Sequence, residues 1–263
     1  MTTTDARRVA AARRWFRRQG LDAVEQDGVT IVQTPAHPQT WDMNFVEAGP
    51  NADPQAVLRA LNETFDAASS WVVHIDSLTD PGVEAALALA GFREETVLIE
   101  MLAVRPSTPR PSARVTLTPV GDANWSGFAA LADADMREGK RTGEYDARVA
   151  AGLMEGMRRR LGACDYWVLE EDGTAIGYGM TAVCPNGLGL IENLFTLPEH
   201  RGRGVMSGFI LEAAERLRAA GCDGVFLDAH AHDTPKHLYA RLGFAPVALT
   251  RTWVKRSSAE RAG

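Results

Sequence analysis

Between residues 105 and 112 the chain reads Arg105-Pro-Ser-Thr-Pro-Arg-Pro-Ser112. Three prolines in eight residues can continue neither a helix nor a central strand, because each fixes φ and removes a backbone donor. The stretch reads as a linker. It divides the 263 residues into a first lobe, 1–105, and a second lobe, 113–263, both of ordinary domain size.

Periodicity fills in the second lobe. Strands are expected at Val115–Val120, Tyr166–Glu170, Ala175–Val183, Leu188–Leu197, Gly224–Ala229 and Ala248–Lys255. Helices are expected at Ala123–Met136, Asp146–Leu161 and Gly204–Ala220, the last stopped by Gly221. Thr234-Pro235 opens a short helix as N-cap and first residue, and Gly243 closes it. In the first lobe, Val9, Ala12, Trp15 and Phe16 form an apolar helical stripe within an arginine-rich start. The first lobe also echoes the second at an offset of 152 residues without a gap: Asp76 falls on Asp228, Ala88 on Ala240, Gly91 on Gly243 and Phe92 on Phe244. Either the lobe is duplicated or the same helix-stop chemistry arose twice; the shared element order favours duplication. The class is α/β (α+β).

The net charge of −6 argues against a nucleic-acid partner, which calls for a basic surface. No apolar run has the length of a membrane span. Cys164, Cys184 and Cys222 match no zinc or CxxC spacing, so a reduced, cytoplasmic chain without a metal is expected.

The segment with the most chemistry is Leu194-Phe-Thr-Leu-Pro-Glu-His-Arg-Gly-Arg-Gly-Val-Met-Ser207. A strand end, a glycine- and arginine-rich turn and a helix start aim backbone N–H groups and the positive helix end at one spot. Glycine permits close approach of an anion, and Arg201 and Arg203 add charge, so the turn reads as a pyrophosphate cradle. The plainer alternative is an arginine-rich surface turn. It is neither a Walker loop nor a GxGxxG fingerprint.

Arg201, Gly202, Arg203, Gly204, Val205 and Met206 fill the signature Gln/Arg-x-x-Gly-x-Gly/Ala of the GNAT-type N-acetyltransferases, with Met206 where a small residue is usual. Thr196-Leu-Pro-Glu-His-Arg201 resembles that family's Val-x-Pro-Glu-x-Arg. His232-Asp-Thr-Pro-Lys-His-Leu-Tyr-Ala-Arg-Leu-Gly-Phe244 resembles its Asn-x-x-Ala-x-x-x-Tyr-x-x-x-Gly-Phe, with His232 for asparagine and Pro235 for alanine. The resemblance spans about Val115 to Lys255. It implies two GNAT-like lobes, each a mixed, largely antiparallel sheet flanked by helices, with acetyl-CoA entering where the fourth and fifth strands of the second lobe splay. It places the backbone of Leu194, Phe195 and Thr196 on the pantetheine arm, Gly202–Ser207 on the pyrophosphate, and His232 near the cofactor.

Tyr239 stands where the family keeps its general acid; a tyrosine is protonated at neutral pH and can donate to a departing thiolate. A core tyrosine beside Leu238 and Leu242 is the alternative. Glu192 and Asn193 interrupt an apolar strand, and such a polar pair must find partners or line a cavity. Glu192 is thus either the base, acting on the ammonium through water, or a carboxylate that orients substrate or pairs with a neighbouring arginine. Asp228, His230 and His232 alternate, so an extended chain sets them on one side. With Asn193, Asp228 and His230 are expected in the acceptor pocket; a metal-dependent hydrolase is the rival reading, and a non-catalytic acyl-CoA sensor a third. Arg137–Tyr145 is polar and glycine-bearing, as an acceptor loop or a plain connector would be. The expected reaction is acetyl transfer to a primary amine, small-molecule or peptide, by direct attack. One cofactor per chain is expected. Setting Phe45 on Phe195 puts Glu47 and Asp53 in the places of Arg201 and Arg203, and Leu87 in that of Tyr239.

Overall fold

The computed structural model describes residues 3–65, 70–104, 115–139 and 145–256. The proline-rich linker and Lys140–Glu144 lie outside the described residues. The elements run α1 (Thr3–Arg17), β1 (Ala23–Gln26), β2 (Val29–Val32), β3 (Phe45–Ala48), α2 (Pro54–Thr64), β4 (Trp71–Asp76), α3 (Pro81–Leu89) and β5 (Arg93–Ala103). In the second lobe they are β6 (Thr116–Pro119), α4 (Trp125–Glu138), α5 (Ala147–Arg160), β7 (Asp165–Glu171), β8 (Thr174–Val183), β9 (Leu188–Thr196), α6 (Val205–Ala219), β10 (Gly224–His230), α7 (Pro235–Arg241) and β11 (Ala245–Lys255). Asp27-Gly28 and Asp172-Gly173 make the tight turns of two hairpins, all four residues at positive φ. Thr234 sits at the N-cap of α7, but its side chain makes no cap hydrogen bond.

All eleven strands join one sheet in the order β1-β2-β3-β4-β11-β5-β10-β9-β8-β7-β6. The two lobes repeat a motif: a meander leads into β3 or β9, a helix follows, and β4 or β10 pairs parallel to the strand before that helix. The last strands are exchanged. β5, from the first lobe, pairs with β10, while β11, from the second, pairs with β4. β5 and β11 then pair antiparallel at the centre.

One face of the sheet packs Val9, Ala12 and Phe16 of α1 with Phe128 and Leu131 of α4 and Met157 of α5. The opposite face of the second lobe packs Val205, Phe209, Ile210 and Ala213 of α6 with Tyr239 and Leu242 of α7. In the first lobe Val57 and Leu61 of α2 and Val83 and Leu87 of α3 build the equivalent cluster.

The internal echo is real at the helix ends and slips before them. Phe92 N–H donates to Leu87 O as Phe244 N–H donates to Tyr239 O, which keeps the 152-residue offset. Yet β4 ends at Asp76, five residues before Pro81, and β10 at His230, five before Pro235. The offset there is 154, because α3 has 9 residues and α7 has 7. His74 is therefore the counterpart of Asp228, and Asp76 that of His230. The parallel pairings Glu47 with His74 and Leu190 with Phe226, continued two residues, make Glu47 the counterpart of Glu192. Phe45 does not fall on Phe195. Glu47 lies buried against Arg17, 2.6 Å away, and not at a cradle.

Candidate functional site

The site begins where β9 and β10 part. Their parallel ladder ends at Leu190–Phe226. Beyond it β9 stays paired with β8 to Thr196, and β10 stays paired with β5 to His230. The facing edges of 191–196 and 227–230 are thus free of each other, and backbone groups along such an edge need partners. A bulge in β9 lies within the separated stretch. Tyr178 pairs with Phe195 and Met180 with Glu192, so Asn193 and Leu194 stand opposite Gly179 alone. Asn193 has φ +54°, the left-handed conformation that asparagine tolerates best among non-glycine residues. Its place in the strand is accounted for by the backbone.

Gly202 and Gly204 have φ of +73° and +84°, so the turn requires glycine at both places. Gly204 is the N-cap of α6, and no side chain caps that end. The first helical bond is from Gly208 N–H to Gly204 O, leaving the N–H groups of Val205, Met206 and Ser207 without i−4 partners, beside roughly half a positive charge from the helix dipole. Arg201 donates Nε to Thr196 O at 2.8 Å and both Nη atoms to Glu138, at 2.5 and 2.6 Å. Arg203 reaches Glu171 at 2.7 Å and His200 at 3.3 Å. The cradle arginines thus hold carboxylates of α4 and β7. Hydrogen bonds from Arg201 hold the Glu138 carboxyl below its ordinary value.

Two faces of the sheet carry the two candidate reacting groups. Leu194 and Val205 belong to the cluster of α6 and α7, where Tyr239 is buried. Glu192 is opposite Met180 and Asp228 opposite Glu100, which places both carboxylates on the α1 face. There Arg13 of α1 enters the sheet. Its Nε and Nη2 bind Glu100 at 2.9 and 3.0 Å, Nη2 lies 2.6 Å from Asp228, and Nη1 binds Glu192. Glu100 also accepts from Thr250 Oγ1 at 3.0 Å. Burial and then the charge of Glu192 push the Asp228 carboxyl well above the usual range, against the pull of Arg13, and Asp228 shares a hydrogen bond with Glu192. Burial would lower the Arg13 value, but the three carboxylates outweigh it and keep the guanidinium charged.

The remaining sequence candidates divide. His230 ends β10, while His232 lies exposed in the turn beyond it, so the expected alternation of three residues stops at two. Among the described residues no group of three or more His, Cys, Asp and Glu is arranged to hold a metal ion. Burial pushes the thiols of Cys164 and Cys184 up to about 12 and raises that of Cys222, the opposite of what a nucleophilic thiolate needs. Arg13 and Glu100 were not expected in the site, yet both had a signal. Arg13 is four residues after Val9 and three before Phe16, on the apolar stripe of α1. Glu100 interrupts Leu98-Ile99 and Met101-Leu102 as Glu192 interrupts its own strand.

The model of the acetyltransferase (GNAT) family matches residues 125–244. Those residues form a GNAT-family domain. The GCN5-related N-acetyltransferase of Kribbella flavida superimposes with a TM-score of 0.66 at 18% identity, over 95% of either chain. A conserved protein of unknown function from Staphylococcus epidermidis gives 0.65 at 16%, over 90% of this chain and 94% of that one. A tandem GNAT protein from the clavulanic acid biosynthesis pathway gives 0.55 at 14%, over 88% and 78%. These likenesses extend the GNAT fold beyond the matched segment to most of the chain. No curated protein matches by sequence. Among the described residues no helix is long and apolar enough to cross a membrane.

Proposed function

We propose that this chain moves an acetyl group from acetyl-CoA to a primary amine, with 113–263 as the catalytic lobe and 1–105 as a degenerate GNAT-like lobe. The observation that carries the reading is the opening between β9 and β10 together with the uncapped N-terminus of α6; Tyr239 and Glu192, from opposite faces of the sheet, are the groups assigned to act there. The glycine turn fits a pyrophosphate, since Gly202, Arg203, Gly204, Val205, Met206 and Ser207 present backbone donors and the helix end, and Arg201 can exchange Glu138 for phosphate oxygens. The free edge of Leu194, Phe195 and Thr196 suits an extended amide-bearing arm, and the family resemblance assigns His232 a place near the cofactor. Asn193, Asp228 and His230 line the acceptor side.

In the reaction the amine nitrogen attacks the thioester carbonyl, a C–N bond forms and the C–S bond breaks. The ammonium proton passes to the Glu192 carboxylate, directly or through water, and Tyr239 gives its proton to the departing thiolate. No cysteine takes the acyl group. A mildly acidic cytoplasmic protein suits a small-molecule or peptide amine. The test is free-thiol release from acetyl-CoA with a panel of amines: turnover above the amine-free rate is expected. Binding of CoA without thiol release for any amine would favour a sensor.

A further inference from the structure

Arg13 belongs to α1, outside the segment that matches the GNAT family, and its side chain is 4% exposed. A guanidinium among Glu100, Glu192 and Asp228 is not needed to fill that space, because well-packed apolar side chains of similar volume are often at least as stabilising as a buried ion cluster. The surroundings fix it in place. Phe16 and Phe226 lie 5.8 and 5.4 Å from the guanidinium carbon, and Glu100, held by Thr250, takes two of its nitrogens. Its Nη1 donates to Glu192 on β9, and its Nη2 makes a charge contact with Asp228 on β10, on the two strands that part at the site. Neighbouring side chains of α1 do the same for the first lobe: Arg14 binds Asp76 and Arg17 binds Glu47, the counterparts of His230 and Glu192.

We propose that Arg13 is a positioning residue of the second-lobe site, supplied in cis by the first lobe: it orients the Glu192–Asp228 pair and sets the pH at which that pair exchanges its proton. This rests on the acyl-transfer reading above for its catalytic consequence, but not for the state of the pair. The other titratable groups around the cluster are Glu100 on β5, His74 on β4 and the thiols of Cys164 and Cys184. Burial, Arg17 and Arg13 hold His74 neutral, and the two thiols are pushed up to about 12.

The test is Arg13→Lys in the full chain, because one ammonium cannot span three carboxylates as a planar guanidinium does. Three things are read: kinetics with acetyl-CoA and an amine, CoA affinity, and the infrared band of the protonated aspartate in protein labelled with 13C-aspartate, assigned by its loss in Asp228→Asn. Weakening the hydrogen bond to Glu192 and the charge contact with Asp228 disfavours the ionised carboxylates and raises their values. The expected results are a kcat lower by about 100-fold, CoA affinity within about twofold, and an acidic limb of kcat/KM and an infrared midpoint both moved to higher pH. A folded variant with both midpoints unchanged overturns the proposal, including when kcat and Tm fall together. If the wild type releases no thiol yet the infrared midpoint moves, the acyl-transfer reading fails and the control of the pair by Arg13 stands. Should Arg13→Lys not fold, Thr250→Val, which loosens Glu100, is read in the same way; unmoved midpoints there overturn it too.

Discussion

Gly204 illustrates how one residue joins conformation to binding. Its φ of +84° costs a residue such as alanine roughly 1–2 kcal/mol. Gly204→Ala should therefore lower stability by about that amount in a denaturant titration, and Gly204→Glu should in addition abolish CoA binding in calorimetry on folded protein. Unchanged CoA affinity in the glutamate variant would remove the turn from the cofactor site. Tyr239→Phe deletes only the hydroxyl of a buried ring; the general-acid role is expected to show as a kcat loss of about 10²–10⁴-fold with CoA affinity kept, and survival of turnover within about twofold would leave the residue a packing role. Asp228 makes a prediction about pH. Its value in the fold is raised by burial and by Glu192, so its contribution to stability is present below the unfolded carboxyl value and lost as pH rises through the folded one. Asp228→Asn stands in for the protonated form. Thermal unfolding across pH should show this variant gaining on the wild type as pH rises; a constant difference at every pH would contradict the raised value.

At the scale of elements, the bulge in β9 and the N-terminus of α6 together make the opening. Both depend on left-handed residues, Asn193 in the first and Gly202 and Gly204 in the second. Asn193→Gly should keep the bulge, whereas Asn193→Val, β-branched and poorly suited to positive φ, should lower Tm and weaken CoA binding together. Equal behaviour of the two variants would show that the bulge does not need this conformation. The first lobe lacks both devices. Its strand-to-helix connection is five residues, 49–53, against eight, 197–204. Asp53 accepts from Gln55 N–H at the N-terminus of α2, and Pro54 has no N–H to give. A carboxylate already occupies the place an anion would take.

The whole molecule is held together by exchange. Because β5 completes the sheet beside β10 and β11 completes it beside β4, neither lobe closes its own sheet. α1 further sends Arg13, Arg14 and Arg17 to carboxylates on five strands. A fragment starting near Ser112 loses β5 and Arg13, exposing the edge of β10 and leaving Glu192 and Asp228 without their cation; breaking such buried pairs costs about 3–5 kcal/mol. The expected outcome is an insoluble fragment that gains solubility and CoA binding when residues 1–104 are co-expressed. A soluble, CoA-binding fragment alone would show the lobes to be independent. Calorimetric titration of the intact chain should saturate at one CoA; two equivalents would mean that the first lobe binds as well.

Short-range chemistry made much of this legible in the amino-acid sequence. Glycines at left-handed positions, prolines that end elements, alternating apolar residues and the Arg201–Gly204 turn all act within a few residues, so the strands, the helices, the glycine turn before α6 and the odd polar character of Glu192 could be read directly. The exchange of β5 and β11 could not be. Either strand has the same apolar pattern whether it pairs with its own lobe or the other, and only the geometry of the closed sheet chooses. The two-residue slip between the lobes stayed hidden because the shared Gly-Phe helix ends mask the longer start of α3. Arg13 lay on an apolar stripe, but its partners come from β5, β9 and β10, and only the assembled sheet brings them within hydrogen-bonding distance.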